Sequence, residues 1–579
     1  MINNKMIRTM RRVVISFLFI IAALAIQAQN ISEIAKSDPL IITGAIATQN
    51  TYYHSSSGGG GRNPWNNSVY LNLNISTYSI NMPFTFTLVN NNSSWSYPYV
   101  SFDVSPTYKD WTLHLGTRSM AFSSYVYNIP FTGAGVEYHH KKFRFGAFYG
   151  RLQKAINDDP TDPTARRPQY YRMGWGLKVG YGSGNNYLDL YMFRAKDRVS
   201  SVDDGWRDIV SPQENLVVGF KGRVQPLKFF SLSANFATSV FTTDTRAQKL
   251  NKDVYSDFWS KIYDARYTSL YRFAGDVTAN LRIKRFNISA NYKLVQPDYK
   301  TLGISYITNN IESYGLGLSG SLLKGIVSFN GRFSGQQDNI TKRQLYTTKG
   351  YVYSANTNIN LSRSLSLNAS YNGYRQLQTD GTVAVNDTTQ VNRIMHSATG
   401  TVNYDFNAFD LLHTASFSYN FSKNKDLNRF NEGASDIETH AFGIDYSVSE
   451  SRTSLTVMTS FNHQTSKSTD TKFTTDMVSL GASMPMLAEK NLTFSLDLSL
   501  SRNATDDQRT TSLGGSVRAS YLLLKEHQFS LMASYNRFSD LTYSRGISYT
   551  GSDLTLCLNY SYSFTLLQIK RKASKEDNL

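Results

Sequence analysis

Catalysis by side chains needs a nucleophile, a base and a group that orients the base, and a metal site needs several ligands of matched hardness. The nine histidines stand at 54, 114, 139, 140, 396, 413, 440, 463 and 527, mostly in or beside segments that read as turns and loops. Only His114 falls mid-strand on a polar face; spacing supplies it no serine partner, so it is expected to be a hydrogen-bonded residue of a polar interior. His139-His140 beside Lys141-Lys142 reads as a solvated turn, with metal binding as the sharper alternative. Asn157, Asp158, Asp159 and Asp162 offer the hard oxygens that Ca²⁺ takes, but without the spacing of a known calcium loop. The glycine run at 58–61 lacks the Lys-Ser/Thr of a phosphate-binding loop and reads as a flexible surface loop. A single cysteine, Cys557, excludes a disulfide framework and a Cys-ligated zinc site. No catalytic residue, metal or cofactor is expected.

The elements that would position such residues are strands. Leu492, Phe494, Leu496, Leu498 and Leu500 alternate with Thr493, Ser495, Asp497 and Ser499, which puts the apolar side chains on one face. The pattern recurs at Phe286, Ile288, Ala290, Tyr292, at Phe442, Ile444, Tyr446, Val448, and at Leu554, Leu556, Leu558, Tyr560. Charged residues are only 18% while aromatics reach 13%, the balance of a wall with lipid on one side and water on the other. Short connections near 284, 363, 408, 451 and 525 alternate with long polar ones at 194–215, 239–271, 295–312, 374–396, 422–438 and 463–474. These features predict an all-β fold, a transmembrane antiparallel up-and-down barrel of about 26 strands (24–26), with short periplasmic turns and long extracellular loops. The expected division is a signal peptide at 1–28, a short periplasmic segment at 29–39, the barrel at 40–564 and a basic periplasmic tail at 565–579. The leader carries Lys5, Arg8, Arg11 and Arg12 before an apolar run at 13–26, which spans only about 21 Å and is too short for a membrane helix. The formal charge of +17 is dispersed, with no basic helical face or zinc-finger spacing, so nucleic acid is not an expected partner.

At 105–155 the chain reads SPTYKDWTLHLGTRSMAFSSYVYNIPFTGAGVEYHHKKFRFGAFYGRLQKA, and at 292–320 it reads YKLVQPDYKTLGISYITNNIESYGLGLSG. Both stretches resemble large, uncharacterised outer-membrane β-barrel proteins of the Bacteroidota. The resemblance implies the fold and the outer-membrane location, and it carries no catalytic or binding residues over. The run DPLIIT at 38–43 is weighed against the energy-coupling box of TonB-dependent transporters and reads instead as a first strand, because no plug-sized domain separates it from the barrel.

Two functions remain open. One is a channel or transport protein for polar solutes, since a barrel of about 26 strands is wider than the 16 to 18 that already leave an aqueous pore. The other is a non-conducting anchor, or a component of an export, assembly or surface-attachment complex with a lipoprotein or periplasmic partner. Both imply outer-membrane lipids as neighbours and the barrel-assembly machinery as a partner during biogenesis. Under the channel reading, parity places Lys178, Lys221, Arg223, Arg282 and Arg332 inside in the earlier strands, and Asp405, Asp445, Asp497 and Asp553 inside in the later ones. Asp103, Asp189, Asp276 and Arg518 break the segregation of sign. The loop at 239–271 shows a helical stripe with Asp253 as its N-cap. Packing on the rim is its first expectation. Inward folding of Tyr255, Phe258, Trp259, Ile262 and Tyr263 to constrict the lumen is the second.

Overall fold

The computed structural model describes residues 39–56, 64–77, 80–90, 103–158, 166–206, 208–250, 262–487, 489 and 491–569. The chain opens with β1 (Leu40–Ser55), β2 (Trp65–Thr77), β3 (Ile80–Asn90), β4 (Asp103–Val104), β5 (Thr107–Tyr108), β6 (Trp111–Arg118), β7 (Phe131–His140), β8 (Phe143–Gln153) and β9 (Arg172–Ser183). It continues through β10 (Asn186–Asp197), β11 (Glu214–Leu227), β12 (Phe230–Thr242), β13 (Ser269–Ile283), β14 (Phe286–Val295), β15 (Ile311–Leu322), β16 (Val327–Asp338), β17 (Tyr346–Asn360) and β18 (Leu365–Asp380). It ends with β19 (Asn392–Ala408), β20 (Leu411–Asp426), β21 (Ile437–Glu450), β22 (Thr456–Ser468), β23 (Lys472–Met486), β24 (Leu492–Ala504), β25 (Gln508–Leu523), β26 (His527–Thr542) and β27 (Ile547–Ile569).

Each strand pairs antiparallel with its neighbours in the chain, and β27 returns to pair with β1 from Leu40↔Ile569 to Ser55↔Asp553. The fragments β4 and β5 both lie between β3 and β6, so they are one stave broken at Ser105-Pro106, where proline has no N–H for the ladder. The wall is therefore a 26-stranded antiparallel barrel. Closure removes the unpaired edges that a membrane would penalise, because backbone polar groups find no water in the hydrocarbon.

The outward face shows what surrounds the wall. Ile444, Phe461, Val478, Leu500 and Leu513 lie opposite one another across five successive strands, β21 to β25, and every one is exposed. A continuous apolar band of this kind on a soluble surface would drive association. In a closed barrel it is the lipid-facing belt. The protein is a multi-pass β-barrel of the outer membrane. No helix among the described residues is long and apolar enough to cross a membrane; the strands make the crossing.

An even number of antiparallel staves leaves Leu40 and Ile569 at the same, periplasmic, end. Several connections are tighter than the sequence suggests. The loop expected at 463–474 is a turn at 469–471, and the one expected at 422–438 covers only 427–436, because alternation between polar residues extends β20 to β23 beyond the apolar belt. β27 likewise runs to Ile569, five residues past the expected barrel end at 564. The leader and the basic tail lie outside the described residues.

Candidate functional site

Residues directly opposite in an antiparallel ladder share a face, so the inner face can be followed strand by strand around the wall. Lys178 faces Tyr191, Tyr191 faces Gly219 on β11, and Lys221 and Arg223 follow at the same parity. Arg282 faces Asn287, and Arg332 faces Gly317, on that same side. Continuing round, Asp405 faces Thr414, Asp445 faces Ser416, Asp497 faces Gly481, and Asp553 faces Asn536 and then Ser55 across the seam. All nine charges therefore project into the lumen, as do Asp189, Asp276 and Arg518. Six further cations have the inward parity: Arg118, Arg144, Arg172, Arg272, Lys293 and Arg393. Lys293 lies opposite Asp276, and Arg144 on β8 holds Asp189 at 2.7 Å, cancelling one of the negative charges that interrupt the basic arc. Arg144 was legible by the same parity and needed only the recognition of β8 as a stave.

Among the described residues two connections cover one side of the inner wall. The connection from β6 to β7 (119–130) and that from β14 to β15 (296–310) both fold inward against β7 to β14. Tyr127 packs at 4.6 Å on Phe148 and 5.2 Å on Phe193, two inner-face side chains, and Phe131 stacks on Phe148 at 4.5 Å. Glycines make the room, since a Cβ on Gly176 would lie 2.3 Å from Phe148 and 2.9 Å from Phe122. The two segments hold each other. Tyr299 Oη donates to Tyr125 O at 2.7 Å, Thr301 Oγ1 to Val126 O at 3.0 Å, and Asn128 N to Gly303 O at 2.8 Å. The wall holds both: Ser123 Oγ donates to Asn235 Oδ1 at 2.6 Å, Ser239 Oγ to Lys300 O at 2.6 Å, and Leu302 N to Asn215 Oδ1 at 3.1 Å. Buried backbone groups that would otherwise lack partners are thereby satisfied.

Among the described residues these two segments narrow the lumen, and the one described aromatic of the 239–271 stripe follows its first expectation, packing on the rim. Tyr255, Phe258 and Trp259 lie outside the described residues. Tyr263 sits on the rim, its Oη 2.6 Å from Thr242 Oγ1 and donating to Glu214 O at 3.3 Å. Thr242 and Glu214 have the outward parity, so Tyr263 packs outside the lumen; Ile262 is half-buried. The physical reason is an ion cluster to be covered: the fully buried Glu214 carboxylate lies 2.6 Å from Arg194 and 2.9 Å from Lys196. Burial at this rim raises the Tyr263 hydroxyl to about 12. The inward segments are instead the ones whose text reads SMAFSSYVYNIP and QPDYKTLGISYITNN, apolar and aromatic at places where a solvated loop would be polar. That composition was the available signal.

No family model matches the chain, and no curated protein matches it. Among solved structures it is similar to Pseudomonas aeruginosa OccK8 (OprE), at 9% identity over 68% of this chain and 98% of that one, with a TM-score of 0.31. It is similar also to the P pilus usher (PapC) translocation pore, at 12% identity over 91% and 100%, TM-score 0.34. A third is Pseudomonas aeruginosa OccK2 (OpdF) in complex with glucuronate, at 10% identity over 91% and 98%, TM-score 0.29. Function is therefore to be read from this chain's own geometry.

The remaining chemical candidates resolve locally. His114 Nδ1 lies 3.0 Å from Ser105 Oγ and its Nε2 3.0 Å from Glu137 Oε2, a serine–histidine–carboxylate row. Ser105 and His114 are each only 3% exposed, which leaves no approach for a substrate carbonyl. The row ties the broken β4–β5 stave to β6 and β7. His140 Nδ1 pairs with Asp110 at 2.5 Å. Asp158 is taken by Arg166, which holds its carboxyl down to about 2, and Asn157 Oδ1 accepts from Asp203 N at 2.9 Å; Asp159, Asp162 and the glycine run lie outside the described residues. Among the described residues no group of His, Cys, Asp and Glu gathers to hold a metal ion.

Proposed function

We propose that the protein is a water-filled channel for polar solutes, with an electric field across its lumen. The observation that carries this reading is the exposure of the inner-face charges: Lys221, Arg282, Arg332, Asp405, Asp445 and Asp497 point inward and are still open to solvent. A lumen filled by loops would bury or pair them. None of these six has an ion-pair partner among the described residues, and Asp405 and Asp497 bond only to the neutral hydroxyls of Thr414 and Ser516.

The inner face is mainly basic from β9 to β16, with interruptions that include Asp189 and Asp276, and mainly acidic from β19 to β27, with interruptions that include Arg393 and Arg518, so closure of the wall sets the two arcs across from each other. Opposed arcs of fixed charge bordered by low-dielectric walls orient water and favour solutes that carry a dipole or both signs of charge. The inward segments narrow the passage along the basic arc.

The test is ion selectivity. With Arg223, Arg282 and Arg332 replaced by Ser, the reversal potential of the purified barrel in planar bilayers under a KCl gradient moves toward cation preference, with heat-modifiable migration unchanged. A barrel that does not conduct, or conducts with an unmoved reversal potential, sinks the reading.

A further inference from the structure

The periplasmic turns break a conformational rule in a repeated way. Lys109, Lys141, Lys284, Lys324 and Lys525 all have φ between 49° and 63°, the left-handed region where glycine, asparagine or aspartate is the unstrained choice. Each lies in a connection at the periplasmic end: β5–β6, β7–β8, β13–β14, β15–β16 and β25–β26. The same ring carries Lys142, Lys228, Arg285, Arg363 and Arg452, so every fully described periplasmic turn has a basic residue except Gly184-Asn185 and Phe409-Asp410. Lysine offers nothing to the turn itself that asparagine would not offer with less strain.

A second feature accompanies the charge. The basic residues sit beside large apolar side chains that the wall does not cover: Lys324 follows Leu323, which is 68% exposed, Lys525 follows Leu524 at 75%, and Lys228 precedes Phe229 at 50%. Ile283 and Phe143 repeat the arrangement next to Lys284 and Lys142. An exposed apolar residue adjoining a flexible cation is the pattern of a membrane interface, with the apolar group in the acyl region and the ammonium reaching outward to the headgroup level.

We propose that these turns form a collar that binds the phosphates of anionic phospholipids in the periplasmic leaflet. Its position follows from the wall: the turns terminate the lipid-facing belt, so the headgroups of that leaflet are the anions at their level, and the uncovered leucines and phenylalanines place the contact at lipid rather than at a soluble polyanion. The collar is independent of whether the lumen conducts.

The strain makes the test two-sided. A variant with Lys141, Lys284, Lys324 and Lys525 replaced by Asn, and a second with the same four replaced by Arg, are compared with the native barrel in nanodiscs of phosphatidylglycerol and of phosphatidylcholine. The native barrel and the Arg variant unfold at higher temperature in phosphatidylglycerol, and that difference between lipids falls to roughly half or less in the Asn variant. In phosphatidylcholine the Asn variant unfolds no earlier than the native barrel, because asparagine tolerates the left-handed turn. Equal lipid dependence in the native and Asn proteins, no lipid dependence in the native one, or an Asn variant less stable in both lipids would overturn the proposal.

Discussion

Arg144 shows how one side chain sets the electrostatics of an arc. It holds the inner-face Asp189, which is nearly buried, at 2.7 Å, and Tyr191 Oη donates to the other carboxylate oxygen at 3.3 Å. Removing the guanidinium leaves a desolvated carboxylate unpaired, and Arg144→Ala is expected to destabilise the barrel by about 3 kcal/mol in urea-induced unfolding from detergent. Adding Asp189→Asn should recover most of that loss; a double variant as unstable as the single one would show that packing, rather than charge, links the two. Asp158 and Arg166 are the contrast, since the pair is open to solvent, Asp158 partly and Arg166 largely, and its pairing matters only to the local loop. Individual inner charges were legible in the text because a period of two assigns a face to every residue once one is assigned. Their pairing was not. Asp189 and Arg144 are 45 residues apart and meet only because β9 brings β8 and β10 together.

Among elements, the two inward segments do most to shape the lumen. They are held by contacts of very long range, with Tyr299 reaching Tyr125 across 174 residues of sequence, and by an aromatic cluster centred on Tyr127 and Phe148. Replacing residues 122–127 by a Gly/Ser stretch of equal length should raise single-channel conductance while the barrel still folds and migrates as before. Unchanged conductance would mean that these segments do not obstruct the pore. The milder Tyr127→Ala is expected to cost about 3 kcal/mol by removing a fully buried ring. Tyr263, the described aromatic of the helical stripe, packs on the rim as first expected; periodicity reports amphipathicity, not which surface a segment covers, and it gave no sign of the inward segments. Tyr263 covers the Glu214 cluster on the outer rim.

For the whole molecule the deciding event is closure. β1 and β27 meet with Thr51 opposite Cys557, Thr51 Oγ1 3.7 Å from the thiol sulfur and 506 residues away from it in the chain. Thr51→Cys would set two thiols face to face across the seam. Oxidation should then produce a species that migrates faster on denaturing gels after boiling and reverts on reduction, whereas a barrel that ends on another register would give no such species. The all-β class, a count of 24 to 26 staves and the inward parity of the nine lumen charges were determined by the sequence alone, because alternation and turn spacing are local properties that need no partner to be read. The covered side of the lumen, the pairing of Arg144 with Asp189 and the left-handed backbone of the periplasmic lysines were decided only by tertiary structure. Each depends on which strands lie side by side and on how the chain must bend to bring them there, and neither composition nor period encodes that geometry.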